Sequence, residues 1–357
     1  MEDIYKLIDD INLQKLDNLD TRVNDALSSP KDDALFILGE TLYNYGLMPQ
    51  GLEVFRTLYH KYPDESELLI YFIEGLMSEN HTDEALEYLS EVEMSTERLM
   101  LEADLYQQLN MLEVAISKLD EAIDIEPNDP IIHYALAELL YFDGQYLRAT
   151  SEYETVLETG EYEVNGVNLF SRLADCSLQS GNYSDAIKMF DEISEDEMDS
   201  EDYFKKAIAY EKNDLTQEAI NLVQTLLSKD PDFLQAYFYL QQLYENEHNH
   251  ADAIEIGKEG LRLTQFYKEL MVSTGTIQIE HGDANEGVQL LIQALEVDNA
   301  YQEPLLILSD LYRQEEDYES LIGLLQYVDE EDLDPVFMWH LAYALGQEER
   351  DKEAQHF

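Results

Sequence analysis

Residues 96–129 read TERLMLEADLYQQLNMLEVAISKLDEAIDIEPND, and residues 130–163 read PIIHYALAELLYFDGQYLRATSEYETVLETGEYE, two consecutive blocks of 34 residues. In the first block Ala115, Leu119 and Ala122 recur at helical spacing, the stripe of an amphipathic helix that buries one face. Outward from this block, a residue followed by such a stripe recurs at Gly51, Ala85, Ala115, Ala149, Ala186, Ala219, Ala253, Gly287, Leu321 and Ala354. The intervals are 34, 30, 34, 37, 33, 34, 34, 34 and 33 residues. A fixed interval of this size marks a repeat architecture, in which each unit buries its apolar face only against its neighbours.

Each stripe is the second helix of a unit. Ahead of it lies a first helix with pairs such as Ala103/Tyr106, Ala207/Tyr210, Gln241/Tyr244 and Ser309/Tyr312. Polar turns join the two, as in Asp143-Gly-Gln, Ser180-Gly-Asn and His281-Gly-Asp, where glycine at positive φ is expected to close the first helix. Proline in Lys61-Tyr-Pro-Asp, Glu126-Pro-Asn and Asp230-Pro-Asp separates successive units.

This pattern resembles the tetratricopeptide repeat, a helix-turn-helix unit with small residues at its packing points, an aromatic and a closing proline. The resemblance spans nearly the whole chain, with residues 96–129, 130–163, 200–233 and 234–267 nearest the pattern. It implies an all-α fold of repeats stacked into a right-handed superhelical solenoid. Residues 1–31 are expected to form capping helices, 32–334 an array of about nine repeats, and 335–357 an incomplete repeat whose last face is open or covered by a partner. The chain departs from the pattern where Leu99, His133 and Tyr237 replace the consensus tryptophan. Leu321 replaces a small residue, which predicts looser packing there, and the acidic stretch Ser194–Asp202 is expected to be a solvated loop. Glu158–Gly166 lengthens one connection. In its extreme acidity within such an array, the chain is also similar to the YpiA-like proteins of Gram-positive bacteria.

Composition narrows the function. The chain of 357 residues has 78 Asp and Glu against 21 Lys and Arg, a formal charge of −57. Such a surface repels phosphates and anionic headgroups, so neither nucleic acid nor a membrane surface is an expected partner, and basic proteins are. Disorder is not expected despite the acidity, because 25 Tyr, 12 Phe and abundant aliphatic residues supply a core. The lone Cys176 rules out an intrachain disulfide and fits the cytoplasm.

Tetratricopeptide first helices present side chains to a groove, and the family's peptide recognition depends on those positions. The matching positions carry Glu40, Glu74, Asp104, Glu138 and Asp175, resuming at Asp310. One turn earlier stand Phe36, Ile70, Met100 and Tyr134, then Phe204, Phe238, Val272, Leu306 and Trp339, with Tyr43, Met77 and Tyr141 extending the apolar row. Packing between neighbouring first helices competes with binding as the explanation of any single member. The cationic clamp by which chaperone-binding relatives hold a C-terminal carboxylate is absent, Lys212 and Arg313 being the basic residues placed on the groove.

No chemistry beyond binding is expected. His248 and His250 fall in a turn without a third convergent ligand, and Glu195–Asp202 lacks the ligand alternation and glycine of a calcium loop. Cys176 reads as core. Phosphate loops, nucleophile elbows and dinucleotide fingerprints are missing, so neither metal nor cofactor is expected. The expected function is a non-catalytic adaptor or scaffold whose acidic, apolar-floored groove takes a basic amphipathic segment. Two alternatives are assembly through the terminal faces, including self-association at the C-terminal one, and acidic mimicry of nucleic acid.

Overall fold

The computed structural model describes residues 4–63, 65–90, 92–328, 333–354 and 357. The chain divides into two compact units, residues 1–180 and 181–357.

The first unit opens with α1 (Ile4–Asn12) and α2 (Leu19–Leu27), followed by the helix pairs α3 (Asp32–Asn44) with α4 (Met48–Lys61), α5 (Ser66–Ser78) with α6 (Thr82–Leu89), α7 (Thr96–Gln108) with α8 (Leu112–Ile125), and α9 (Pro130–Phe142) with α10 (Tyr146–Glu158). It closes with α11 (Leu169–Gln179). Ile4, Leu7 and Ile11 put one buried stripe of α1 against α3, while α2 packs on α4. The same apolar cluster runs on through Leu35, Phe55, Phe72 and Leu105. Helix pairs recur because every amphipathic helix leaves a stripe that the next one covers.

Non-helical structure in this unit is local. The lengthened connection folds into a hairpin, β1 (Glu163–Val164) antiparallel to β2 (Val167–Asn168), turning at Asn165 and Gly166, both at positive φ. Asn-Gly is the pair this turn favours. Gly144 closes α9 at φ 78, as its sequence predicts. At several equivalent turns a non-glycine residue takes the left-handed conformation, Asn80 and Asn110 among them.

The second unit contains α12 (Tyr183–Asp191) and the pairs α13 (Ser200–Lys212) with α14 (Thr216–Lys229), α15 (Leu234–Asn246) with α16 (His250–Leu263), and α17 (Lys268–His281) with α18 (Ala284–Val297). Then follow α19 (Gln302–Gln314), α20 (Tyr318–Gly323) with a 3-10 turn over Leu324–Tyr327, α21 (Pro335–Gln347) and α22 (Asp351–Ala354). Gln355 and His356 of the closing run lie outside the described residues.

Three expectations are corrected here. Gly282 closes α17 at φ −135, not at positive φ, and Asp283 then caps α18 by accepting from the amides of Asn285 and Glu286. The acidic stretch is a loop only as far as Asp199, whose side chain caps α13 by accepting from the Asp202 amide, and Asp202 is buried. Leu321 is fully buried; its helix lasts six residues before tightening into the 3-10 turn.

The contact between α19 and α21 carries a titratable group. His340 is buried with Nδ1 2.9 Å from the Ser309 hydroxyl, and burial, then the charge of Arg313, lowers its pKa below the ordinary histidine value of about 6.5. The folded chain resists a proton that the unfolded chain accepts. This contribution to stability is therefore complete above about pH 6.5 and is lost as pH falls below it. Protection of the α19 and α21 amides, taken relative to the intrinsic exchange rate at each pH, should fall between pH 7 and 5, and His340→Gln should remove most of that fall. An unchanged profile in the variant would count against this account.

A groove of paired and unpaired carboxylates

In the first unit, the first helices α3, α5, α7, α9 and α11 carry Glu40, Glu74, Asp104, Glu138 and Asp175 in one row, but packing treats the five differently. Glu40 accepts from the Tyr71 hydroxyl at 3.0 Å. Glu138 accepts from Arg172 through Nε at 2.9 Å and Nη2 at 3.1 Å, and from the Tyr153 hydroxyl at 2.5 Å. Asp175 is buried and accepts from Tyr141 at 2.6 Å and from Gln179 at 3.3 Å. Glu74 and Asp104 have no hydrogen-bond donor or cation on their carboxylates among the described residues.

Register explains the split. Tyr71 stands three residues before Glu74 and reaches back to Glu40 of the preceding repeat; Arg172 stands three before Asp175 and reaches back to Glu138. The residues in that place facing Glu74 and Asp104 are Leu101 and Ala135, which have nothing to donate. A second donor place lies three residues after a row carboxylate, from which Tyr141 reaches forward to Asp175. Its counterpart before Asp104 is Met77, while Tyr43, the counterpart before Glu74, spends its hydroxyl on the Tyr71 carbonyl at 2.9 Å. Three donor places, Met77 on α5, Leu101 on α7 and Ala135 on α9, are therefore vacant around Glu74 and Asp104.

Electrostatics follow the geometry. Burial, reinforced by the charge of Asp104, holds the Glu74 carboxyl above the usual carboxylate range. The Asp104 side chain reaches solvent, yet the protein atoms crowding this face raise its carboxyl as well. Burial, then donation to Glu40, pushes Tyr71 up to about 12, and Tyr141 and Tyr153 are raised through burial followed by donation to Asp175 and Glu138. Glu74 and Asp104 line an open cleft of about 740 Å³ with Met77, Ser78, Leu101, Gln107 and Gln108. Such a cleft offers negative charge over an apolar floor.

The apolar row is largely engaged in packing. Phe36 meets Phe55 and Tyr71 edge-on at 5.7 and 5.3 Å, and Tyr134 meets Tyr153 at 6.3 Å. Ile70 and Met100 are half-buried. Phe204 and Phe238 belong to the second unit, where they pack on Tyr239 and Tyr267 at 5.3 and 5.9 Å. Lys212 and Arg313 of that unit each lie beside an acid, Glu211 and Asp310. Sequence reasoning missed Arg172 as a groove cation, together with Tyr71 and Tyr153; the place three residues before each row carboxylate is the signal that finds the first two.

The remaining candidates have local roles. His248 sits in its turn at φ 57, and His250 rests its Nδ1 2.6 Å from Glu245 and its ring on His281 at 3.6 Å. No group of three or more His, Cys, Asp or Glu that could hold a metal ion occurs among the described residues. Cys176 is buried, and burial pushes its thiol up to about 12. It reports on α11, which Arg172 ties to α9. Arg172→Ala leaves Glu138 half-buried with Tyr153 as its remaining donor; we expect a loss of about 2–3 kcal/mol, below the range for a fully buried pair. Cys176 should then react faster with a thiol reagent, and an unaltered rate would exclude this tie.

Comparison with known proteins agrees with the architecture. The family model "YpiA-like, tetratricopeptide repeats" matches residues 107–161, and a general tetratricopeptide model matches 204–267. The chain is 32% identical over 331 residues to the TPR repeat-containing protein YpiA of Bacillus subtilis (strain 168), covering 91% of this chain and 78% of that protein. Among solved structures, the C-terminal part of a TPR repeat-containing protein from Cytophaga hutchinsonii aligns with a TM-score of 0.53 at 13% identity, covering 66% of this chain and 97% of that one. No helix among the described residues is long and apolar enough to cross a membrane. Repeat register, helix pairing and identity across nine-tenths of its length agree: the chain belongs to the YpiA-like tetratricopeptide repeat proteins.

Proposed function

We propose that this protein is a non-catalytic adaptor whose first unit binds a basic amphipathic segment of a partner protein at the face formed by α5 and α7. Tetratricopeptide proteins are in general protein-interaction scaffolds. The observation that carries the finer reading is the free pair Glu74 and Asp104, left without donors by Leu101, Ala135 and Met77 while three neighbours in the same row are satisfied. Partly desolvated carboxylates facing one another raise the free energy of the unliganded chain, and a cation brought by a partner relieves that cost. Apolar side chains of the segment would lie against Met77 and Leu101, and the wider negative field would speed encounter.

The linkage has a definite sign. Both carboxyls are raised, so their ionised forms oppose folding at neutral pH, and that penalty vanishes as pH falls below their pKa values. Glu74→Gln with Asp104→Asn should therefore leave the protein as stable as wild type or more so, yet weaken binding of a fluorescent Lys/Arg–Leu amphipathic peptide by about 10- to 100-fold. Glu195→Gln with Asp196→Asn, two exposed acids of the acidic loop, makes the same change in net charge. Equal weakening by both double variants would leave only the general field and sink the reading.

A specific observation supports a second reading, assembly through the C-terminal face: Val336, Trp339 and Tyr343 form an exposed stripe on α21 at helical spacing. Light scattering over a concentration series decides it, since a constant monomer mass removes assembly.

A further inference from the structure

The same chain shows what a carboxylate of this row accepts when the donor place is filled. At Glu138 the occupant is a guanidinium: Arg172 forms a two-pronged contact at 2.9 and 3.1 Å, its Cζ lying 5.0 Å from the Tyr141 ring centroid, with Asp175 hydrogen-bonded to the same Tyr141. Glu74 and Asp104 are the register equivalents of Glu138 and Asp175, two repeats nearer the N-terminus in each case, and Leu101 stands where Arg172 does. Met77 stands where Tyr141 does, so a polarisable thioether replaces the aromatic ring. The open cleft of about 740 Å³ lies where the missing side chain would lie, and its lining adds the amides of Gln107 and Gln108.

Resting on the reading that this face binds a basic segment, we infer that the cleft between α5 and α7 is an arginine-recognition site, taking the guanidinium of a partner in the place that Arg172 fills internally two repeats along. A planar fork can satisfy both oxygens of Glu74 while turning a remaining N–H toward Asp104, whereas an ammonium is a point charge without that fork. The alkyl stem of the incoming arginine runs over Leu101 and Met77, as long basic side chains do on apolar surface. Ala135, small at the donor place facing Asp104, leaves that side open.

The test uses the full chain and three peptides of one apolar host sequence that differ at a single central residue: arginine, lysine or citrulline. The arginine peptide should bind about tenfold more tightly than the lysine peptide, the worth of one further charge-assisted hydrogen bond, and the neutral citrulline peptide should bind weakest. In Glu74→Gln with Asp104→Asn the three affinities should converge. A gain-of-plug variant, Leu101→Arg, should lose the arginine peptide to a similar extent while keeping or raising its Tm, because the new guanidinium occupies Glu74 internally. Equal binding of the arginine and lysine peptides overturns arginine recognition but leaves the basic-segment reading standing, provided both are lost in the double variant. Indifference of every peptide to Glu74 and Asp104 overturns both. Should Leu101→Arg fail to fold, the peptide series in wild type and the double variant decides the matter alone.

Discussion

Replacing Phe55 by alanine should destabilise the first unit by about 3–5 kcal/mol, the range for deleting a fully buried aromatic side chain. Phe55 is 0% exposed on α4 and stacks on Tyr71 with ring centroids 4.6 Å apart and planes 6° from parallel. Phe36 and Tyr43 meet it at 5.7 and 5.0 Å, and Gly39 brings its backbone against the ring so closely that an added Cβ would sit 2.7 Å from it. The variant also tests how the core supports the site, because Tyr71, which holds Glu40, loses its stacking surface. Urea denaturation followed by circular dichroism measures the loss, and hydrogen exchange should localise it to α3, α4 and α5. A loss under about 1 kcal/mol would show that the cavity collapses at little cost, contrary to this packing account.

The second large effect is expected at Gly287, where α17 and α18 cross. A Cβ there would lie 2.5 Å from the carbonyl oxygen of Gly275 and 3.0 Å from the amide nitrogen of Ile279. Both obstacles are backbone, so the helices themselves must separate, and Gly287→Val should cost about 3 kcal/mol. Gly323 is the internal control: it has helical φ and ψ and nothing within 4 Å of an added Cβ. Gly323→Ala should be neutral or stabilising by up to about 1 kcal/mol, since alanine restricts the unfolded chain without strain in the folded one. Thermal unfolding of the two variants side by side distinguishes this geometry from a general intolerance of substitution.

The proposed site gains meaning from what surrounds it. Leu101 or Ala135 replaced by a donor would have completed the pattern seen at Glu40 and Glu138, and the row would then be internally satisfied. The unpartnered pair is instead a local exception within a repeated arrangement. Exceptions that oppose stability are where function is most often found, because packing alone gives no reason to keep them. In a chain of charge −57 the general field attracts positive charge everywhere; under the proposed reading, a cleft with two unpaired acids over an apolar floor adds a place and a geometry to that attraction.

Much of this was legible in the residues. The recurrence from Gly51 to Ala354 fixes helix pairing, because a period near 34 residues with apolar stripes admits few other folds, and Ala103, Ala115 and Ala149 mark where helices approach. The row Glu40, Glu74, Asp104, Glu138 and Asp175 also follows from register alone, since equivalent positions of equivalent helices share a face. Periodicity could not say which of the five are free. That depends on whether a side chain one repeat away, 27 to 34 residues along the chain, has the length and direction to reach: Tyr71 reaches Glu40 and Arg172 reaches Glu138, whereas Leu101 and Ala135 reach nothing. Gly282 shows the same limit, its sequence suiting a left-handed turn that the Asp283 cap makes unnecessary. Sequence by itself determined the architecture and the strongly negative charge of the chain, because both arise from patterns summed over many residues. Tertiary structure alone decided where that charge is unsatisfied, because a hydrogen bond forms or fails within a few tenths of an ångström, a distance no residue spacing specifies.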